Sequence, residues 1–96
     1  MRILIYLDQH NHKLFMTLHS HPGSGKDATH PSSIDMDYAR RLEMGGYVAI
    51  GAIFDRMGYV RFYSHKMPFR VSVYGAGVEV IDEQHRIYKI STRDTI

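Results

Sequence analysis

The sequence predicts an α+β domain in which one main helix packs on a mixed, mostly antiparallel sheet. Three observations lead to this prediction. A segment that begins near Ser32 and ends at Gly45 and Gly46 has the start and stop signals of a helix. Tyr47–Phe54 is a nearly continuous apolar run, as expected for a strand covered on both faces. Residues 69–90 alternate apolar and polar side chains between turn residues, which is typical of antiparallel strands.

The elements of the first half can be predicted in chain order. Residues 3–7 are all apolar apart from one tyrosine hydroxyl and fit either a strand or the end of a helix. The polar residues 8–13 predict a turn, and residues 14–19 predict a buried strand that ends before Pro22. Residues 23–30 are rich in glycine and small polar side chains and predict a flexible loop.

The predicted helix carries Ile34, Tyr38 and Leu42 on one face. After the central apolar strand, residues 55–58 predict a hairpin turn into a strand over 59–64. Phe69–Tyr74 predicts a half-buried strand, and a last hairpin joins residues 78–81 to 87–90. At 96 residues, the chain has room for one small domain.

The composition excludes several classes of protein. There is no cysteine, so any metal site must use histidine and carboxylate ligands. The formal net charge is +2 and the cationic residues are scattered, which argues against nucleic-acid binding. No apolar run approaches the ~20 residues of a membrane span, and the amino terminus does not fit a signal peptide. We therefore expect a cytoplasmic protein with no membrane partner.

One group of residues in the sequence could form a metal site. His19 and His21 lie two residues apart on a predicted strand, so both imidazoles point to the same face. Ser32 and Asp35 stand at the predicted helix start, where the aspartate can reach back toward the two histidines. Two histidines and one aspartate leave a fourth position open, as in catalytic rather than structural zinc sites. The same Ser-x-x-Asp spacing is also a helix-capping pattern, which is compatible with this role.

The pattern His19-Ser20-His21-Pro22, a loop, and then Ser32-x-x-Asp35 resembles the signature of the JAMM (JAB/MPN, Mov34/PAD-type) zinc metallopeptidases, in particular their prokaryotic JAB-like members. The resemblance covers residues 14–64. It implies a JAB/MPN fold, similar to cytidine deaminases, over one partial domain at residues 1–96.

The resemblance also implies the chemistry. His19, His21 and Asp35 would bind Zn²⁺, and Ser32 would be catalytic, donating a hydrogen bond to the oxyanion that develops at the scissile carbonyl. The substrates implied are peptide or isopeptide bonds at the carboxyl termini of ubiquitin-like proteins.

The chain departs from the family in two ways. Its loop at residues 23–30 is longer than in the usual motif, and no glutamate precedes His19 to act as the family's general base. Asp8 is the only acidic residue upstream, and Glu43 lies about 12 Å along the helix from Asp35. We therefore expect that the first strand and helix of the family fold are missing or shortened, through either a truncated start or a true deletion. Residues 3–7 would then be the end of that helix.

Two functions stay open from the sequence alone. The chain is either a JAMM-type hydrolase or a JAB/MPN-like module that binds a metal or a partner protein without catalysis. If sheet strands are missing, self-association or a partner chain is expected to complete the sheet, with Leu14, Met16 and Leu18 or the face of Tyr47–Phe54 uncovered. The alternative is that residues 2–7 fold over the gap as a short strand and leave a stable monomer. His10, His12 and His30 are expected to be solvent-exposed loop residues, and His65 and His85 to lie at strand ends on the surface.

Overall fold

The computed structural model describes residues 2–7 and 13–91 of the chain. The strands are β1 (Arg2–Leu7), β2 (Lys13–Ser20), β3 (Tyr47–Phe54), β4 (Tyr59–Tyr63), β5 (Phe69–Tyr74), β6 (Val78–Asp82) and β7 (Ile87–Ile90). A 3-10 turn (Lys26–Thr29) and the helix α1 (Ser33–Met44) lie between β2 and β3. The predicted α+β class, with one helix and a mostly antiparallel sheet, is confirmed for these residues. The predicted turn at 8–13 falls almost entirely outside them, as do Asp8, His10 and His12.

The strands form two sheets. The larger sheet has the order β2-β3-β4-β7-β6, and the smaller one pairs β1 with β5. Among the described strands, only the β2–β3 pair is parallel. A parallel pair needs a crossover connection, and here the connection contains the 3-10 turn and α1. This connection places the carboxyl end of β2 next to the amino-terminal end of the helix.

The core lies on both faces of β3. On one face, the helix covers a small cluster that includes Ala39, Ile53 and Tyr63. On the opposite face, the β1–β5 sheet covers a larger cluster of apolar side chains from β3, β4, β5 and β7: Val48, Ile50, Ala52, Val60, Phe62, Phe69, Val73 and Tyr88. The prediction of a strand buried on both faces at Tyr47–Phe54 is therefore confirmed. This strand does not leave an apolar face open to a partner chain, which was one of the two surfaces that the sequence suggested.

The helix starts and ends where the sequence predicts. Ser32 caps it at the amino-terminal end, and Gly45 caps it at the other. However, the helix does not pack on the sheet through its predicted apolar face, because Ile34 and Tyr38 on that face are exposed. Ala39 is the buried residue, since the side of α1 next to Asp35 is the one that rests on the sheet. No helix among the described residues is long and apolar enough to cross a membrane.

Strand β2 is exposed, which corrects the prediction of a buried strand at residues 14–19. It is an edge strand whose second edge has no partner among the residues that the structure describes. The side chains of Leu14, Met16 and Leu18 share the face opposite the helix and are all exposed. The β1–β5 sheet does not extend beneath them. These apolar side chains are therefore exposed, although their pattern in the sequence is that of a buried strand.

Residues 2–7 form a strand, not the end of a helix. The strand β1 pairs antiparallel with β5 through a continuous register from Arg2–Tyr74 to Leu7–Phe69. Ile3 and Ile5 pack against the larger apolar cluster. An all-apolar run of this length does not distinguish a strand from a helix end, and here the β5 edge decides the conformation.

Candidate metal centre

The two histidines are placed by the pairing of β2 with β3. His19 lies opposite Ile53, whose side chain packs under the helix, so the His19 ring also points toward the helix. His21 follows the strand, and its backbone N–H donates to the Phe54 carbonyl at 3.0 Å. This bond continues the extended pairing beyond Ser20 and keeps both imidazoles on the same side. The structure thus has the two imidazoles on one side of the strand, as the sequence predicts.

Asp35 lies between the two imidazoles. Nε2 of His19 is 3.1 Å from Oδ1 of Asp35, and Nε2 of His21 is 3.1 Å from Oδ2. The two rings are tilted against each other with centroids 5.1 Å apart. One ligand atom from each of the three residues lies within 4.8 Å of the other two. The structure therefore brings together His19, His21 and Asp35, the three residues that the sequence suggested.

The state of the His19 nitrogen fits a metal ligand. Nε2 is buried and, despite its distance to Oδ1, is not aligned for a hydrogen bond with any described residue. A buried polar atom without a partner is unfavourable unless another group takes up its lone pair. Ligand atoms about 2.0–2.1 Å from a tetrahedral zinc lie about 3.3–3.4 Å from each other. The 3.1 Å between Nε2 of His19 and Oδ1 of Asp35 is close to this spacing. This group of three residues could therefore hold a metal ion.

The surroundings of Asp35 favour the charged form of its carboxylate. Partial burial alone raises its pKa, but the hydrogen bonds from Ser32 and the electrostatic influence of the nearby His19 together lower it more, so the net pKa is below the ordinary value. Oδ2 accepts the Ser32 backbone N–H at 2.8 Å. Oδ1 has no such donor among the described residues, so it is the oxygen better placed to bind a cation.

Ser32 is the amino-terminal cap of α1. Its Oγ accepts the backbone N–H of Asp35 at 3.1 Å, which completes a capping box with the bond to Oδ2. The hydroxyl oxygen is the acceptor in this cap, and its single proton remains a donor that also helps to lower the pKa of the Asp35 carboxyl. The side chain is exposed beside the three ligand residues. The cap and the catalytic role implied by the sequence are thus compatible.

The segment after His21 is held in place and is not a free loop. Asp55, a buried residue after β3, accepts backbone N–H groups from Gly25 across the site, from Met57 at 2.9 Å and from Tyr59 at 2.7 Å. Thr29 is fully buried, and its Oγ accepts from Nε of Arg61 at 3.3 Å. Part of the predicted flexible loop is a 3-10 turn tied to the sheet by these bonds.

Three residues near the site were not predicted. The Tyr63 ring lies across Gly51, where a β-carbon would overlap it, and the phenol lies near the side chain of Thr17. Burial and the negative charge of Asp35 raise the pKa of Tyr63, which places the phenol close to that ligand. A glycine inside the apolar run Tyr47–Phe54 was the available signal, since such glycines often mark a close approach.

No second carboxylate joins the group among the residues that the structure describes. Glu43 instead accepts the backbone N–H groups of His65 and Lys66 at 2.8 and 3.0 Å, beyond the far end of the helix. His30 is exposed, with Nδ1 3.0 Å from the Pro31 carbonyl oxygen. His85 is exposed and paired with Asp82, so neither it nor Glu43 belongs to the site.

Comparison with known proteins does not assign the chain to a family. No protein-family model matches it, and no curated protein or solved structure matches it either. The function of the chain must therefore be inferred from the residues of the site and their geometry.

Proposed function

We propose that this chain is a zinc-dependent hydrolase of the JAMM type that cleaves peptide or isopeptide bonds. The observation that carries the proposal is the convergence of His19, His21 and Asp35, with the buried Nε2 of His19 free of any hydrogen bond among the described residues. The order of elements around these residues, a strand, a turn, a capped helix and a central strand, supports the JAB/MPN fold that the sequence resemblance implies. A cytoplasmic location is part of the same proposal.

The residues of the proposed site would have different roles in metal binding and in catalysis. His19 and His21 would bind the zinc through Nε2, and Asp35 through Oδ1. Zinc in such a site supplies Lewis-acid chemistry, which makes water a nucleophile near neutral pH. Ser32 would hold the developing oxyanion with its hydroxyl proton while its oxygen keeps the helix capped. The substrates would be carboxyl-terminal tails of ubiquitin-like proteins or other extended peptides.

The second candidate is a JAB/MPN-like module that binds a metal or a partner protein without catalysis. It is favoured by the absence of a second carboxylate from the group of ligand residues in the described part of the chain. A positioned general base typically contributes about 10²–10⁴-fold to the rate. We therefore expect the chain alone to be a slow hydrolase at best. Asp8 and His30 are the residues to substitute first if cleavage is fast.

The experiment is cleavage of linear and isopeptide-linked ubiquitin-like fusions by the zinc-loaded chain, followed by mass spectrometry. Loss of cleavage with EDTA and in Asp35→Asn would support the hydrolase. Ser32→Gly tests the oxyanion role, because glycine retains most of the capping preference but removes the hydroxyl donor. We expect it to lower the rate by about 10²–10³-fold. Ser33→Ala, one residue further along the helix, is the matched control and should retain the rate.

The result also separates the two candidates. If the chain binds one equivalent of zinc but cleaves none of the fusions, the non-catalytic module is the correct function. If cleavage occurs and survives both EDTA and Asp35→Asn, the metal centre is not the site of the reaction and the hydrolase proposal fails.

A further inference from the structure

A cleft adjoins the metal centre. It has a volume of about 310 Å³ and lies between the helix start, the strand β4 and the turn that joins β6 to β7. Pro31 and Met36, which line it, flank Ser32 and Asp35 in the chain. Tyr63, which also lines it, borders Asp35 on its other side, in the small cavity beneath the helix. A peptide at the metal centre would therefore extend into this cleft.

The cleft is cationic. Its lining includes the guanidinium groups of Arg61 and Arg86 and contains no carboxylate among the described residues. Two histidines also line it; His30 lies beside the Pro31 carbonyl oxygen and His85 beside the Asp82 carboxylate. The permanent positive charges in the lining are those of the two arginines.

The guanidinium group of Arg86 already has partners within the protein. One of its terminal nitrogens donates to the Phe69 carbonyl at 2.9 Å, and its Cζ lies 4.0 Å from the centre of the Phe69 ring. Glu83 stands beside it in the neighbouring surface depression. These contacts satisfy much of its hydrogen-bonding and charge requirement.

Arg61 is oriented but not neutralised. It is half-buried on β4, on the sheet face that carries His19, and its Nε donates to the buried Thr29 hydroxyl at 3.3 Å. Its two terminal nitrogens have no hydrogen bond or ion pair with any residue that the structure describes. A half-buried charge is costly without a partner, and a planar guanidinium fork suits the two oxygens of a carboxylate. The partner that fits is an anion from outside the chain.

We infer that this cleft is a carboxylate-binding subsite for peptides, with Arg61 as its anchor. The carboxylate would be either an acidic side chain or the free carboxyl terminus of the bound peptide. That this peptide is a substrate rests on the hydrolase proposed above, but binding itself needs neither metal nor catalysis.

The test is fluorescence anisotropy with the metal-free chain and three hexapeptides labelled at the amino terminus with an uncharged BODIPY dye. The first is Gly-Gly-Ser-Glu-Asp-Glu with an amidated carboxyl terminus. The second is Gly-Gly-Ser-Gln-Asn-Gln with a free carboxyl terminus, and the third is the same peptide amidated. At least one carboxylate-bearing probe is expected to bind about tenfold more tightly than the uncharged third, equivalent to about 1.4 kcal/mol. Which of the two binds identifies the source of the carboxylate.

Two variants with the same change of charge test the anchor. Arg61→Gln should abolish the preference for a carboxylate, whereas Arg56→Gln, at an exposed turn residue outside the cleft, should preserve it. Equal affinity for all three probes, no binding of any probe, or an equal loss in both variants would overturn the inference. Because it needs no metal, this result is independent of whether the chain proves to be a hydrolase.

A second measurement does not depend on the folding of a variant. Phenylglyoxal modifies accessible arginines, and mass spectrometry locates the modified sites. In the wild-type chain, the tighter-binding peptide should protect Arg61 at least threefold and leave Arg56 unprotected. Equal modification of Arg61 with and without the peptide would overturn the inference.

Discussion

The ring of Tyr63 lies directly over the α-carbon of Gly51 on the neighbouring strand. A β-carbon at Gly51 would overlap the ring and lie 2.6 Å from the phenol oxygen. The two residues are paired opposite each other between β3 and β4, and Thr17 of β2 lies on the other side of Gly51. Because Gly51 has no side chain, the phenol crosses a whole strand and reaches Thr17 beneath the metal centre.

Gly51→Ala is therefore expected to destabilise the protein. The added methyl group must displace the Tyr63 ring in a packed region, which typically costs about 1–3 kcal/mol. Urea unfolding followed by circular dichroism measures this cost. In the Tyr63→Val background the ring is absent, so the same substitution should cost much less. Equal costs in the two backgrounds would show that Gly51 and Tyr63 do not restrict each other.

Metal analysis tests the three ligand residues. We expect one zinc per chain in the wild type and loss of stoichiometric zinc in His19→Ala and Asp35→Ala, because each removes one of three protein ligands. His85→Ala is the control, since that histidine pairs with Asp82 away from the group. Zinc should also raise the melting temperature of the wild type by mass action. If His10→Ala or His12→Ala loses zinc and the first two variants retain it, the ligand assignment is wrong.

The sequence was sufficient for the parts of the site that depend on local geometry. The alternation of a strand places His19 and His21 on one face, and the capping pattern places Asp35 at a helix start. The exposure of β2 and the position of Tyr63 depend on which strands pair. Pairing joins segments far apart in the chain, and an apolar pattern such as Leu14 to Leu18 is the same in a central strand and in an edge strand.

Asp55 is expected to support the metal centre from a distance. Asp55→Ala would leave the N–H groups of Gly25, Met57 and Tyr59 without their acceptor, at a cost of about 1–3 kcal/mol for each that stays buried and unpaired. Release of the segment after His21 should also weaken zinc binding. Asp27→Ala removes an exposed carboxylate from that segment and is the control. Calorimetric zinc titration of both variants is the measurement, and equal affinities would contradict this role.

The stability of the metal-free chain should depend on Asp35 in acid. Its pKa is lower in the folded chain than its ordinary value of 3.8, so the unfolded chain takes up the proton first as the pH falls. The stabilisation is complete above the ordinary value and is lost as the pH drops through the lower folded pKa. Asp35→Asn keeps the shape but not the charge, so its free energy of unfolding should fall less steeply below about pH 5. An identical acid slope in both proteins, from urea unfolding at each pH, would refute the prediction.

Self-association through β2 is expected because its outer edge and one apolar face are open in the described structure. Leu14, Met16 and Leu18 are 49%, 40% and 67% exposed there. A second copy offers the same edge, and two such edges related by a two-fold axis can pair antiparallel, which satisfies the unpaired N–H and C=O groups and covers the leucines. Sedimentation velocity at micromolar concentration should therefore show a concentration-dependent dimer.

The variant Leu18→Lys tests which surface is responsible. A lysine on an edge strand opposes edge-to-edge pairing, since two copies would bring like charges together. We expect this variant to sediment as a monomer at concentrations where the wild type dimerises. Leu4→Lys makes the same change at an exposed leucine of β1, whose strand is already paired with β5, and should leave the dimer intact. A wild type that stays monomeric throughout, or a dimer lost only in Leu4→Lys, would rule out the β2 edge as the contact.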